Sequence, residues 1–319
     1  MSGSLPERIG PYRIERRLGA GGMADVFLGV AYGASGFEKQ VAIKTLREEH
    51  LGDTSMERLL LEEAKLGARL VHECLVGVHE LGVDAGRYYV RMDYVDGDDL
   101  ASLMASSPID VPLTLLIAER VALALAYVHR ALDERGNPLG LVHRDVSPQN
   151  VLISRNGEVK LGDFGIAKAT QRADTTQANL RRGKYAYMSP EQVARGSLRA
   201  SSDQFGLGVM LFEMLTGARP FDGDSPLITL DRIREALPPD TSAMPEDVAD
   251  IVLRCLARDP AERFRESEAL VRALAECRRL RPSATALDLA RWVGDKLTER
   301  GSLTPAPTTR PGTRPITTG

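Results

Sequence analysis

Cysteine is scarce in this 319-residue chain: Cys74, Cys255 and Cys277 have neither the number nor the spacing of a disulfide framework or a metal knuckle. Three reduced thiols in a reducing, cytoplasmic setting are the expectation. An excess of one charge is also missing. Lys and Arg number 41 against 44 Asp and Glu, and the net charge of −3 carries no footprint of nucleic-acid binding. The opening "MSGSLPERIGPYRIERRLG" lacks the apolar stretch of a secretory signal. The longest apolar run, "LTLLIAERVALALAYVH" (113–129), is interrupted by Glu119 and Arg120, which favours a buried helix over a membrane span. No internal repeat is apparent. What is present, 43% apolar and 27% charged residues, suffices for a substantial core under a polar surface.

Residues 12–95 alternate short strand-like runs, "YRIERRLG", "ADVFLGVAY", "QVAIKTL", "LVGVHELGV" and "RYYVRMDYV", with one helical stretch at 54–71. After Asp96 helical periodicity takes over, at 112–132, 203–217, 246–257 and 266–280. The pattern predicts an α+β, bilobal chain: an extension over 1–11, a mainly β lobe over 12–95 and a mainly α lobe over 96–281, with a crevice between the lobes. In "SATALDLARWVGDKLTE", Ala286, Leu289, Ala290, Val293 and Leu297 fall on one face, so an extra helix is expected within 282–300, packed on the large lobe or presented to a partner. From Gly301 to 319 the composition turns to Thr, Pro, Gly and Arg, which reads as a disordered tail.

The chemistry-bearing residues come in a fixed order. "GAGGMADV" (19–26) lies between two strand-like runs, and Gly19, Gly21 and Gly22 would let backbone N–H groups approach phosphates closely. Lys44 follows in the apolar "VAIK", and Glu63 and Glu62 on the next helix are its candidate partners. "HRDVSPQN" (143–150) brings Asp145 and Asn150, and "VLISRNGEVKL" then leads to Asp163-Phe164-Gly165. Asp163 and Asn150 carry hard oxygens of the kind Mg²⁺ prefers. Asp145 is placed to receive or orient a hydroxyl proton.

In these motifs, residues 12–280 resemble the eukaryotic-like serine/threonine protein kinases of bacteria. The resemblance implies the bilobal kinase fold, ATP with Mg²⁺ (Mn²⁺ as the alternative) and protein substrates, with a second copy of the chain among them. It implies that Leu18, Gly19, Ala20, Gly21 and Gly22 cover the phosphates, and that Val26, Ala42 and Leu152 sandwich the adenine. Met92 becomes the gatekeeper, and Asp93 and Val95 offer backbone groups to the base. Lys44 contacts the α/β-phosphates and pairs with Glu63, nine residues before His72. Asp145 is the catalytic base, Asn150 and Asp163 hold the metal, Glu191 of "SPE" pairs with Arg263, and Asp203 anchors the catalytic loop. Arg144 would meet a phosphate on Thr170, Thr175 or Thr176.

Four positions depart from that pattern. Ala24 replaces the third loop glycine. Gly67, one turn beyond Glu63, lacks the usual apolar side chain, which predicts a loosely docked helix. Ser147 stands where the catalytic-loop lysine is usual, and Lys184 where a threonine usually touches the catalytic Asp. The expectation is that the cation has changed strands, Lys184 reaching Asp145 and the transferring phosphoryl group while Ser147 supplies the hydroxyl. Against an active kinase stand a pseudokinase scaffold and a small-molecule phosphotransferase. The complete set of Lys44, Glu63, Asp145, Asn150 and Asp163 argues against the first, and the Ser-Pro-Glu segment against the second.

Overall fold

The computed structural model describes residues 5–104, 107–163 and 183–301. Phe164, Gly165, Thr170, Thr175, Thr176 and the tail from residue 302 lie outside them.

Six strands, β1 (Arg8–Ile9), β2 (Tyr12–Ala20), β3 (Ala24–Tyr32), β4 (Glu38–Leu46), β5 (Val78–Asp84) and β6 (Arg87–Met92), form an antiparallel sheet in the order β1-β2-β3-β4-β6-β5. The lobe therefore starts earlier than residue 12, because Arg8 and Ile9 pair with Arg13 and Tyr12. Two residues are too few to show a period, so this strand is defined by its partner. The register sets Val26 and Val90 opposite Lys44, and Met92 opposite Ala42. Side chains alternate across a strand, so these five residues share one face. The other face packs Tyr12, Ile14, Phe27, Val41, Ile43 and Tyr89 into a small core of its own.

Helix α1 (Thr54–Gly67) lies on the Lys44 face, where Leu60 and Ala64 meet Leu46 and Val90. Asp53 starts it by accepting the N–H groups of Ser55 and Met56, a cap worth about 1 kcal/mol. The loose docking expected from Gly67 is not found. A Cβ there would stand 2.6 Å from Val78 Cγ2, so the missing side chain lets β5 close the space.

Beyond β6 the chain crosses into a three-stranded sheet, β7 (Gly97–Asp99), β8 (Val151–Ser154) and β9 (Val159–Leu161), at the edge of the helical lobe. That lobe contains α2 (Leu100–Met104), α3 (Val111–His129), α4 (Pro190–Val193), α5 (Ala200–Thr216), α6 (Pro226–Glu235), α7 (Glu246–Cys255), α8 (Ser267–Arg279) and α9 (Ala286–Glu299). By length and composition α3 could cross a bilayer, but most of it is buried among the other helices. It is apolar around most of its circumference, as a central helix must be, with Glu119 and Arg120 paired to Arg278 and Glu73 at its open side. Helix α6 was not expected, since charged residues interrupt its apolar positions.

Helix α9 is held at both ends. Thr285 and Asp288 form a capping box, and Leu289, Val293 and Leu297 are buried. Arg278 donates to Ala284 O at 2.9 Å, and Arg300 Nη1 lies 2.6 Å from Asp98 Oδ2. The β8–β9 turn bends at Gly157 (φ +79°), where a Cβ would fall 1.9 Å from Ala286 O, so only glycine lets the helix start there.

Candidate active site

Lys44 projects from β4, inside the six-stranded sheet, and is 7% exposed. Its Nζ lies 2.8 Å from Glu63 Oε1 on α1 and 2.8 Å from Asp163 Oδ1, directly after β9. One ammonium thus joins strand, helix and large lobe. Burial works against its charge, but Asp163 and Glu63 outweigh burial and hold its pKa above the ordinary lysine value. Burial pushes the Glu63 carboxyl up despite Lys44, whereas the Lys44 ammonium beside Asp163 holds that carboxyl below the usual range. The choice between Glu62 and Glu63 is resolved in space, since Glu62 faces outward and pairs with Arg58.

The loop 143–150 is built on Asp203 of α5. Its buried carboxylate accepts the N–H groups of His143 and Arg144, each at 2.7 Å. His129 Nε2 lies 2.8 Å from the same carboxylate, and His129 Nδ1 is 2.7 Å from Ser267 Oγ. His129 and Ser267 were not foreseen; their positions at the end of α3 and the start of α8 carry no signal until the helices are packed. Arg144 and Asp163 both adopt left-handed backbone, φ +69° and +50°. Non-glycine residues persist there only where their surroundings fix them, as Asp203 fixes Arg144.

Asn150 ends a short 3-10 turn, Pro148–Asn150, and its Nδ2 donates to Asp145 O at 2.7 Å. Lys184 reaches the same place from the far side: its Nζ is 3.1 Å from Asp145 Oδ2 and 2.9 Å from Asn150 Oδ1. Ser147 is fully buried, and its hydroxyl has no hydrogen-bond partner among the described residues.

At the nucleotide end, Leu18, Gly19 and Ala20 end β2, and in the turn that follows, with Gly22, Gly21 N–H donates to Ala24 O at 2.7 Å. A Cβ on Gly21 would strike Ala24 O at 2.7 Å, while Gly19 and Gly22 border open space. Val26, Ala42 and Met92 line the sheet face above, and Leu152 lies in β8 below. Asp93 donates its N–H to Gly77 O at 2.9 Å, and Val95 makes no backbone bond among the described residues. Ser189 opens α4 with a capping box, and its neighbour Glu191 meets Arg263 Nη1 at 2.8 Å and Nη2 at 3.0 Å.

A strand-rich lobe bridged to a helical one by a lysine, a glutamate and an aspartate defines the bilobal kinase architecture. The chain belongs to the protein kinase domain family, whose model matches residues 12–274. It is 36% identical over 282 residues to the tyrosine-protein kinase MasK of Myxococcus xanthus, covering 85% of this chain and 43% of that protein. It is 35% identical over 264 residues to the serine/threonine-protein kinase PrkC of Bacillus subtilis, with 81% and 39% covered. The serine/threonine-protein kinase PknL of Mycobacterium tuberculosis is 33% identical over 273 residues, with 83% and 66% covered. The chain thus spans about two fifths of the length of MasK and PrkC.

Proposed function

We propose that the chain is an ATP-dependent protein kinase, transferring the γ-phosphoryl group to Ser and Thr hydroxyls of protein substrates, itself in trans among them, as a signalling step. One observation carries the reading: the Lys44 ammonium at 2.8 Å from both Glu63 and Asp163. A nucleotide-free scaffold has no need of a lysine buried between two carboxylates. The three buried free cysteines fit a reducing compartment, and the cytoplasm is the proposed location.

The residues fit Mg²⁺, with Mn²⁺ as the alternative. Among the described residues no three His, Cys, Asp or Glu side chains converge on one point. A divalent ion would therefore complete its shell with phosphate oxygens and water, as Mg²⁺ does when it arrives with a nucleotide. Asp163 offers an open protein oxygen, whereas Asn150 Oδ1, the second candidate, already accepts from Lys184 Nζ at 2.9 Å. The bound ion would neutralise phosphate charge. Lys44 would hold the α/β-phosphates in line, with Glu63 fixing its direction. Asp145 would orient the acceptor hydroxyl and take its proton as the new O–P bond forms and the bond to the departing ADP breaks. Preference for Ser and Thr is supported by the names of PrkC and PknL and by the Ser-Pro-Glu segment, while MasK is named for tyrosine.

The test is to incubate the purified chain with labelled ATP, Mg²⁺ and a protein acceptor, beside Asp163→Ala, and map the products by mass spectrometry. Phosphoserine and phosphothreonine made by the parent and not by the variant are expected. No transfer by either would overturn the reading, and phosphotyrosine alone would overturn its acceptor class.

A further inference from the structure

Asn150 has one amide oxygen, and Lys184 is on it. The resemblance assigns that oxygen to a metal ion, yet here it accepts from Nζ at 2.9 Å while the same ammonium stands 3.1 Å from Asp145 Oδ2. Turning the Asn150 amide to aim this oxygen away from Lys184 would break the bond from its Nδ2 to Asp145 O at 2.7 Å. Lys184 is set by backbone: it follows Gly183, in left-handed conformation at φ +67°, and opens the 3-10 turn Lys184–Tyr187. Three quarters of its side chain is shielded, as is nine tenths of that of Asp145. An ammonium has three N–H donors. Two are committed to Asp145 and Asn150, and the third is free among the described residues.

A divalent ion at Asn150 Oδ1 would have to share one oxygen with this ammonium. Two cations that close, in a site screened from water, repel strongly. Asp163 is not so restricted: Lys44 takes only its Oδ1. The two candidate metal ligands are therefore unequal, one open and one already holding a cation. Ser147, meanwhile, is fully buried and carries no charge, so it cannot supply what the loop lysine supplies in relatives of the usual pattern.

We propose that Lys184 is a resident cation that takes the place both of the absent loop lysine and of a metal ion at Asn150, so that the nucleotide complex holds a single divalent ion, at Asp163. This rests on the kinase reading above. Lys184 then serves the reaction twice: it fixes the Asp145 carboxylate and presents its third N–H to the transferring phosphoryl group. A lysine suits the task as a flexible point charge.

The experiment counts Mn²⁺ by electron paramagnetic resonance in the complex with a non-hydrolysable ATP analogue, for the parent, Lys184→Thr, Lys184→Met and Asp163→Ala. Thermal melting of each variant establishes that it is folded. One Mn²⁺ per bound nucleotide is expected in the parent, and a second, weaker one in both Lys184 variants. Two in the parent, or an unchanged count in both variants, would overturn the proposal. In parallel, Lys184→Thr should lower kcat roughly 10–10³-fold, as expected for a charge lost from a phosphoryl-transfer site. Adding Ser147→Lys should recover a good part of that loss, a non-additive cycle. A kcat within about threefold of the parent would show that Lys184 is not the reacting-site cation. Failure of the kinase reading looks different, because the parent then transfers no phosphate and Asp163→Ala changes nothing.

Discussion

Arg263 and Glu191 form a two-pronged ion pair in which no guanidinium proton is left over. Besides the two bonds to the carboxylate, Arg263 donates to Ser201 O at 2.8 Å, Ala257 O at 2.9 Å and Arg258 O at 3.3 Å. Its guanidinium also stacks 5.0 Å from the Phe205 ring. Such a pair fixes the Ser-Pro-Glu segment to the large lobe. Arg263→Ala leaves Glu191 and three carbonyls without their partner and should cost about 3–5 kcal/mol, read from denaturant midpoints.

The same pair gives stability a pH dependence. Burial raises the Glu191 pKa, but hydrogen bonds from Arg263 and Ser202 more than reverse this and leave it lowered. A carboxyl whose folded pKa is depressed stabilises the fold fully above its unfolded value, about 4.3 for glutamate, and loses that contribution as pH falls through the folded value. The stability gap between the parent and Glu191→Gln should therefore be widest near neutrality and shrink below about pH 4. A gap that grows on acidification would contradict the lowered pKa.

Lys44→Ala removes the bridge between the lobes and leaves Glu63 facing Asp163 with no cation between them. Activity should fall on the order of 10²-fold or more. Steady-state kinetics with saturating ATP measures the loss, and circular dichroism should show an unchanged helix content.

Gly67 tests the packing of the helix that carries Glu63. Gly67→Leu forces a side chain into the space of Val78 and should destabilise by about 1–3 kcal/mol. Val78→Ala in the same chain should relieve much of that cost, so the two changes would not add. Additive effects would mean that the two residues do not compete for one space.

The sequence carried the order of the motifs and the lobes because those depend on local chemistry. Lys44 lies in an apolar strand, Asp145 and Asn150 share one loop, and a periodic helix carries Glu63. What could not be read depends on packing between distant segments. The choice of Glu63 over Glu62 needed the family relation, and the space shows why: one side chain faces the sheet and the other faces water. His129 and Ser267 meet Asp203 only once α3, α5 and α8 are packed together. The Gly67 reading failed because a missing side chain looks like a cavity in sequence, whereas Val78, eleven residues on, occupies it. Lys184 was expected near Asp145, but its bond to Asn150 Oδ1 depends on where a 3-10 turn ends.

Helix α9 changes where this protein can be cut. The family match stops at residue 274, inside α8, but the folded unit runs on to Glu299. An expression boundary at the family limit would leave the surface beneath Leu289, Val293 and Leu297 bare and Asp98 of β7 without Arg300. Such a fragment should be prone to self-association, judged by light scattering, while one ending at 301 should stay monodisperse. Kinetic constants taken from the shorter piece would then describe its damage as much as its chemistry.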